Sequence, residues 1–315
     1  MFLTGLSAWL YANPLNGPQR SAQTFLLKRG LFIIFIEITL INLSWFGNYN
    51  ALYLQVMWAI GLSMIVLALV TSFPRWLLGV VGFVIVFGHN ALEFIEFKPT
   101  EVGYSLWTVL HDRGYLYVSD AFKVKASYPV LPWIGVIFLG YFLAPIFTAA
   151  ISPSRRQKTL LLIGFVCICI LLILRGYNLY GETLAWEIGS NWLETLKSFI
   201  NFTKYPPSLD FLLFTLGIAL LVLAALENVT NRVGKILEII GSAPMFFYIV
   251  HLYVLLISYQ LLVNIFGPTQ GEYWGVDSVG QLWLISILLS FLLYWPTKAF
   301  AKFKRQTQLA WVKYL

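Results

Sequence analysis

Charged side chains are scarce in this sequence. They make up 11% of the 315 residues, under half of the roughly 25% usual in soluble domains, while the apolar share of 59% exceeds the ordinary level of about 45 to 50%. A soluble enzyme is excluded. Cysteine is nearly absent, with two residues, which rules out a disulfide-stapled secreted domain. Cys167 and Cys169 stand two apart in an apolar run. On a helix their side chains diverge by about 200°, so neither a mutual disulfide nor a metal site fits. Glycine has no collagen-like period, and aromatics at 17% are too abundant for a disordered chain. No Walker loop, dinucleotide glycine pattern, HExxH or GxSxG occurs. The net charge of +7 comes from cations scattered in short loops between apolar runs, which reports membrane orientation rather than nucleic-acid binding.

What is present is long apolar sequence. A spanning helix uses about 20 predominantly apolar residues, and hydropathy predicts about eight full spans near 31–46, 51–73, 76–93, 130–151, 159–175, 208–227, 244–266 and 280–297. Residues 1–12 are apolar but too short to span and read as the tail end of a helix. The fold class expected is therefore all-α: a single polytopic transmembrane bundle of about eight spans plus a truncated N-terminal helix. Assigning alternate loops to opposite sides divides the 21 Lys and Arg into about 14 and about seven. The richer side, with Lys28, Arg29 and the C-terminus, is assigned to the cytoplasm by the positive-inside rule. Of the two long external loops, 176–207 carries Trp192, Leu193, Leu196, Phe199 and Ile200 at helical spacing, which predicts an amphipathic helix in the outer headgroup plane.

Ionisable groups inside a bilayer cost several kcal/mol and are functional candidates by default. Glu37 falls about six residues into its predicted span and His251 about seven into its own, both from the cytoplasmic side. Gln55, His89, Asn90, Glu93, Arg175 and Asp210 fall near outer span ends. Two polar layers are expected, one per compartment. Each residue has two readings. Glu37 either fixes helix packing through a partner or serves chemistry. His251 either donates a ring N–H to a carbonyl or acts as general base or acyl carrier. His89 and Asn90 either solvate a helix end or line an acceptor pocket. Arg175 is a snorkelling anchor or an acceptor ligand, and His111 reads as a solvated loop residue. Lys204 to Ser208 (KYPPS) either stiffens the start of a helix or, through Lys204 beside Tyr205, binds a glycan or anionic group.

The blocks LTGLSAWLY (3–11), LKRGLFIIFIEITLINLSW (27–45), LQVMWAIGLSMI (54–65), FGHN (87–90), YPVLPWIGV (128–136), FINFTKYPPSL (199–209) and APMFFYIVHLY (243–253) carry a resemblance. Together they resemble the bacterial membrane family similar to the catalytic domain of heparan-alpha-glucosaminide N-acetyltransferase. The resemblance implies transfer of an acetyl group from cytoplasmic acetyl-CoA to a glycan or amino sugar beyond the membrane, without a metal. His251, His89 and Glu37 are then the catalytic candidates. Asn90, Gln55, Arg175, Lys204 and Tyr205 are the acceptor-side candidates, and Lys28 and Arg29 the candidates for the phosphates of coenzyme A. Family members open with an Arg-Gly helix followed by an Asp-His pair. This sequence begins within the next helix, so the expectation is a chain lacking that helix, inactive as given if the absent histidine is the catalytic one. The resemblance further implies a multi-pass protein of the bacterial inner membrane. The competing reading is a proton-coupled transporter or flippase for a glycan or lipid-linked substrate, with Glu37 and His251 as the relay. A third is a non-catalytic membrane partner that docks a glycan-modifying enzyme.

Overall fold

The computed structural model describes residues 1–315, the side chains of Phe46, Ala310 and Lys313 apart. Helix accounts for 66% and strand for 5% of the chain. In chain order the elements are α1 (Phe2–Ala12), α2 (Ala22–Ile36), a π-helical turn (Glu37–Ile41), α3 (Asn42–Phe46), β1 (Ala51–Leu54), α4 (Val56–Val70) and α5 (Arg75–Gly88), followed by a 3-10 turn (His89–Leu92). Then come α6 (Tyr104–Leu110), β2 (Gly114–Val118), β3 (Lys123–Ala126), α7 (Leu131–Leu143), α8 (Pro153–Gly176) and α9 (Trp192–Phe199). The last four helices are α10 (Leu209–Leu226), α11 (Arg232–Ser242), α12 (Pro244–Phe266) and α13 (Val279–Gln306). Among the described residues five helical stretches are long and apolar enough to cross a membrane: Arg75–Leu92, Pro153–Gly176, Leu209–Leu226, Pro244–Phe266 and Val279–Gln306. Phe2–Ala12, Val56–Val70 and Leu131–Phe147 are shorter apolar helices. The protein is an integral membrane protein.

Two compact units form, Met1–Glu37 with Asn50–Asn228, and Ile38–Tyr49 with Val229–Leu315. In the first, α2 packs on α4, α5 and α1 on α7, and α8 on α10. Small residues permit the close approaches, as is usual between helices in lipid. A Cβ added to Gly61 would lie 2.7 Å from the Gly30 carbonyl oxygen and 2.6 Å from Ile34 Cγ1. Gly61→Ala is therefore expected to cost about 1–3 kcal/mol by overpacking, read as a lower thermal midpoint of the detergent-solubilised protein. An unchanged midpoint would show that the α2–α4 contact yields freely.

The elements read from the sequence differ from the structure at three stretches. The first span starts at Ala22 and not near residue 31, because the Ser21 hydroxyl caps the helix by accepting from the Thr24 N–H. Lys28 and Arg29 thus sit inside α2, and Glu37 lies 15 residues from its start, roughly 22 Å along the axis. Residues 51–54 are not helical. They form β1 of a three-stranded sheet ordered β1-β3-β2, parallel to β3, with β2 antiparallel to β3. The stretch 232–242, read as loop, is the helix α11. The amphipathic helix expected around 192–200 is present as α9, with no buried residue.

Candidate functional site

The polar residues of the first unit gather at the end where α5 and α8 finish and α10 begins. α10 opens on Ser208, whose hydroxyl accepts from the Phe211 N–H, and Asn90 Oδ1 accepts from the Leu209 N–H at 2.8 Å. Two of the orphan donors of the helix start are satisfied in this way. Asn90 Nδ2 donates to Glu93 Oε1 at 2.6 Å. His89 is buried, with Nε2 2.7 Å from the Pro207 carbonyl oxygen and Nδ1 3.0 Å and 3.1 Å from those of Val86 and Ile85. Both ring nitrogens therefore face carbonyl oxygens, and the imidazole braces the end of α5 against the 203–208 segment. His111 is not the solvated loop residue expected. It is buried, stacks on Trp107 at 4.9 Å, and turns Nε2 to the His89 carbonyl oxygen at 3.0 Å.

Two charges organise the 177–207 segment. Glu182 Oε2 accepts from the Thr203 N–H at 2.9 Å and the Ser208 hydroxyl at 2.7 Å, while Oε1 accepts from the Thr203 hydroxyl and the Thr183 N–H. Arg175 is 2% exposed, so it is no snorkelling anchor. Its guanidinium donates to the carbonyl oxygens of Leu184 at 2.6 Å, Phe199 and Ser198 at 3.0 Å, and Asn201 at 3.3 Å. A cation at the C-terminal end of α9 complements the last carbonyls of that helix. Asp210, in the first turn of α10, is buried with both carboxylate oxygens lacking a hydrogen-bond partner among the described residues.

Outside this buried layer is an aromatic platform. The Tyr205 ring lies beneath two cations, Arg113 at 5.0 Å and Lys204 Nζ at 5.3 Å, and meets Tyr128 edge-on at 5.2 Å. Burial, and secondarily Tyr205, push the Tyr128 phenol above its usual range. Lys204, Tyr205 and Arg113 are exposed.

Glu37 and Gln55, assigned by sequence to opposite polar layers, come together. Glu37 Oε1 accepts from the Gln55 N–H at 3.1 Å, at the N-terminus of α4 beside β1. The early start of α2 is the physical reason, since it carries Glu37 toward the sheet end. Arg29 lies over the Phe25 ring at 5.8 Å, and Lys28 is exposed.

In the second unit, α3 packs on α12, and Ser44, Trp45, Tyr248, His251, Leu252, Leu255, Leu256 and Tyr259 line an open pocket of about 410 Å³. The His251 ring stacks on Phe247 at 5.9 Å and tilts against Tyr248 at 5.2 Å. Its Nδ1 is buried without a hydrogen-bond partner among the described residues. A ring nitrogen in a mostly apolar pocket, with no partner, is able to take or give a proton to a bound molecule.

The family model described as heparan-alpha-glucosaminide N-acetyltransferase, catalytic, matches residues 1–173. The chain belongs to this family. No curated protein and no solved structure matches it. The span matched to the N-acetyltransferase family contains Glu37, Gln55, His89 and Asn90 and ends inside α8, while Tyr205 and His251 themselves lie beyond it. Sequence reasoning did not find Glu182, which sits in a loop with no periodicity. Asp210 is legible in the sequence as an acid near an outer span end, and the structure puts it in the first turn of α10.

Proposed function

We propose that the chain is a transmembrane acetyltransferase of the bacterial inner membrane, with its C-terminus cytoplasmic. In this reading it passes an acetyl group from cytoplasmic acetyl-CoA to a glycan or amino sugar on the far side. The observation that carries it is the match of the N-acetyltransferase family model to residues 1–173. About eight spans follow if the five long helices are joined by the continuous helical run 22–46 and by the shorter helices α4 and α7. His251 is assigned as the group that handles the transferred proton or acetyl group. In direct transfer the acceptor nitrogen attacks the thioester carbonyl, the C–N bond forms and the C–S bond breaks. His251 takes the proton that the nitrogen sheds and returns it to the departing sulfur, which leaves as the thiol of coenzyme A. Lys28 and Arg29, on the first half of α2, are assigned to the coenzyme phosphates.

On the acceptor side the exposed Tyr205 face, flanked by Lys204 and Arg113, suits a sugar ring carrying negative charge. His89, Asn90 and Arg175 are positioning residues in this reading, since the first and third commit their polar atoms to backbone carbonyls and Asn90 holds the start of α10. Glu37 positions the start of α4 through Gln55. Proteoliposomes given radiolabelled acetyl-CoA and glucosamine-containing glycans are expected to label the glycan only when the donor is supplied. Glycan flux across the vesicle membrane without any donor, and no labelling with it, would replace this reading by the transporter.

A further inference from the structure

Helix α11 is amphipathic. At 100° per residue, Val233, Ile236, Leu237 and Ile240 share one face, and Lys235, Glu238 and Ser242 the opposite one. Its polar contacts run to α13: Lys304 Nζ donates to the Ser242 carbonyl oxygen at 3.0 Å, and Arg305 approaches Glu238 at 4.0 Å with both side chains largely exposed. The apolar face is left outward, with Val233 58%, Ile236 43% and Leu237 46% exposed. α11 has no buried residue at all. The helix itself carries Arg232 and Lys235, and Lys304 and Arg305 of α13 reach it, with Glu238 the acid among them. Lys298, Lys302 and Arg305 are exposed on the last turns of α13.

An outward apolar stripe on a water-facing helix would be a liability, and a cationic rim repels cationic partners and favours anionic ones. Both features fit one surface, the boundary of a bilayer rich in anionic headgroups, where acyl chains take the stripe and phosphates take the cations. We propose that α11, with the end of α13, forms an interfacial site for anionic phospholipid. The proposal rests on the membrane reading of the chain and not on acetyl transfer, so its failure leaves the enzymatic reading untouched.

The test uses the full-length protein with Cys167 and Cys169 replaced by serine and a fluorophore attached through Leu237→Cys or, separately, Lys235→Cys, in vesicles of phosphatidylcholine with or without phosphatidylglycerol. Brominated acyl chains are expected to quench the label at 237 strongly and that at 235 weakly. In a second measurement, phosphatidylglycerol retained by the purified protein over phosphatidylcholine is expected to fall about fivefold for each cation removed in Arg232→Gln, Lys302→Gln and Arg305→Gln. Lys302→Arg should keep it. Equal quenching at the two positions, or headgroup selectivity unchanged in the triple variant with its thermal midpoint intact, would overturn the proposal.

Discussion

Replacing Arg175 with methionine is expected to destabilise the protein by about 3–5 kcal/mol, the range found when one side of a buried charged interaction is removed. The guanidinium reaches four carbonyl oxygens from residues 184 to 201 and lies 5.6 Å over the Phe202 ring. Methionine restores the volume and supplies no donor, so buried carbonyls at the end of α9 lose their partners. Arg175→Lys should recover little, because a single ammonium does not reproduce a planar fork. Hydrogen exchange of residues 182–203 is the direct measurement, and fast exchange there should precede any loosening of α8 and α10. Retention of wild-type protection in Arg175→Met would show that the segment is held by Glu182 alone.

His251→Ala is expected to lower acetyl transfer by about 10²- to 10⁴-fold, the usual contribution of a positioned general acid or base. The thermal midpoint should hardly move, since Nδ1 has no protein partner to lose. The decisive readout is the comparison of rate with stability, since a group that handles the transferred proton or acetyl group loses rate without loss of the fold. Loss of activity accompanied by an equal fall in stability would reduce His251 to a packing residue of the α3–α12 pocket.

The apolar blocks were the legible part. The 244–266 prediction coincides with α12, because Pro244 suits the first helical turn and Gly267, at φ 71°, ends the helix. The start of α2 was not legible, since Lys28 and Arg29 dilute the hydropathy window while the Ser21 cap sets the boundary. β1 was lost because four apolar residues, ALYL, look the same whether they begin a span or join a sheet. The site was half legible. His89, Asn90 and Arg175 stood out as polar groups near span ends, but their partners are far along the chain. His89 meets Pro207 and Asn90 meets Leu209 across 118 and 119 residues, and no local pattern records such pairings. His111 shows the limit, since a histidine in a loop is indistinguishable by sequence from one buried under a tryptophan.

The parallel pairing of β1 with β3, Ala51 opposite Lys123 through Leu54 opposite Ala126, has a consequence for the chain as a thread. The stretch from 55 to 113 leaves the sheet and returns to it as β2, and α5 and α1 both pack on α7. The peptide bonds of 93–103 are therefore mechanically redundant. A molecule cut there keeps its two pieces clasped by strand pairing and helix packing, which makes this loop the natural place to split the protein into co-expressed halves or to graft foreign sequence.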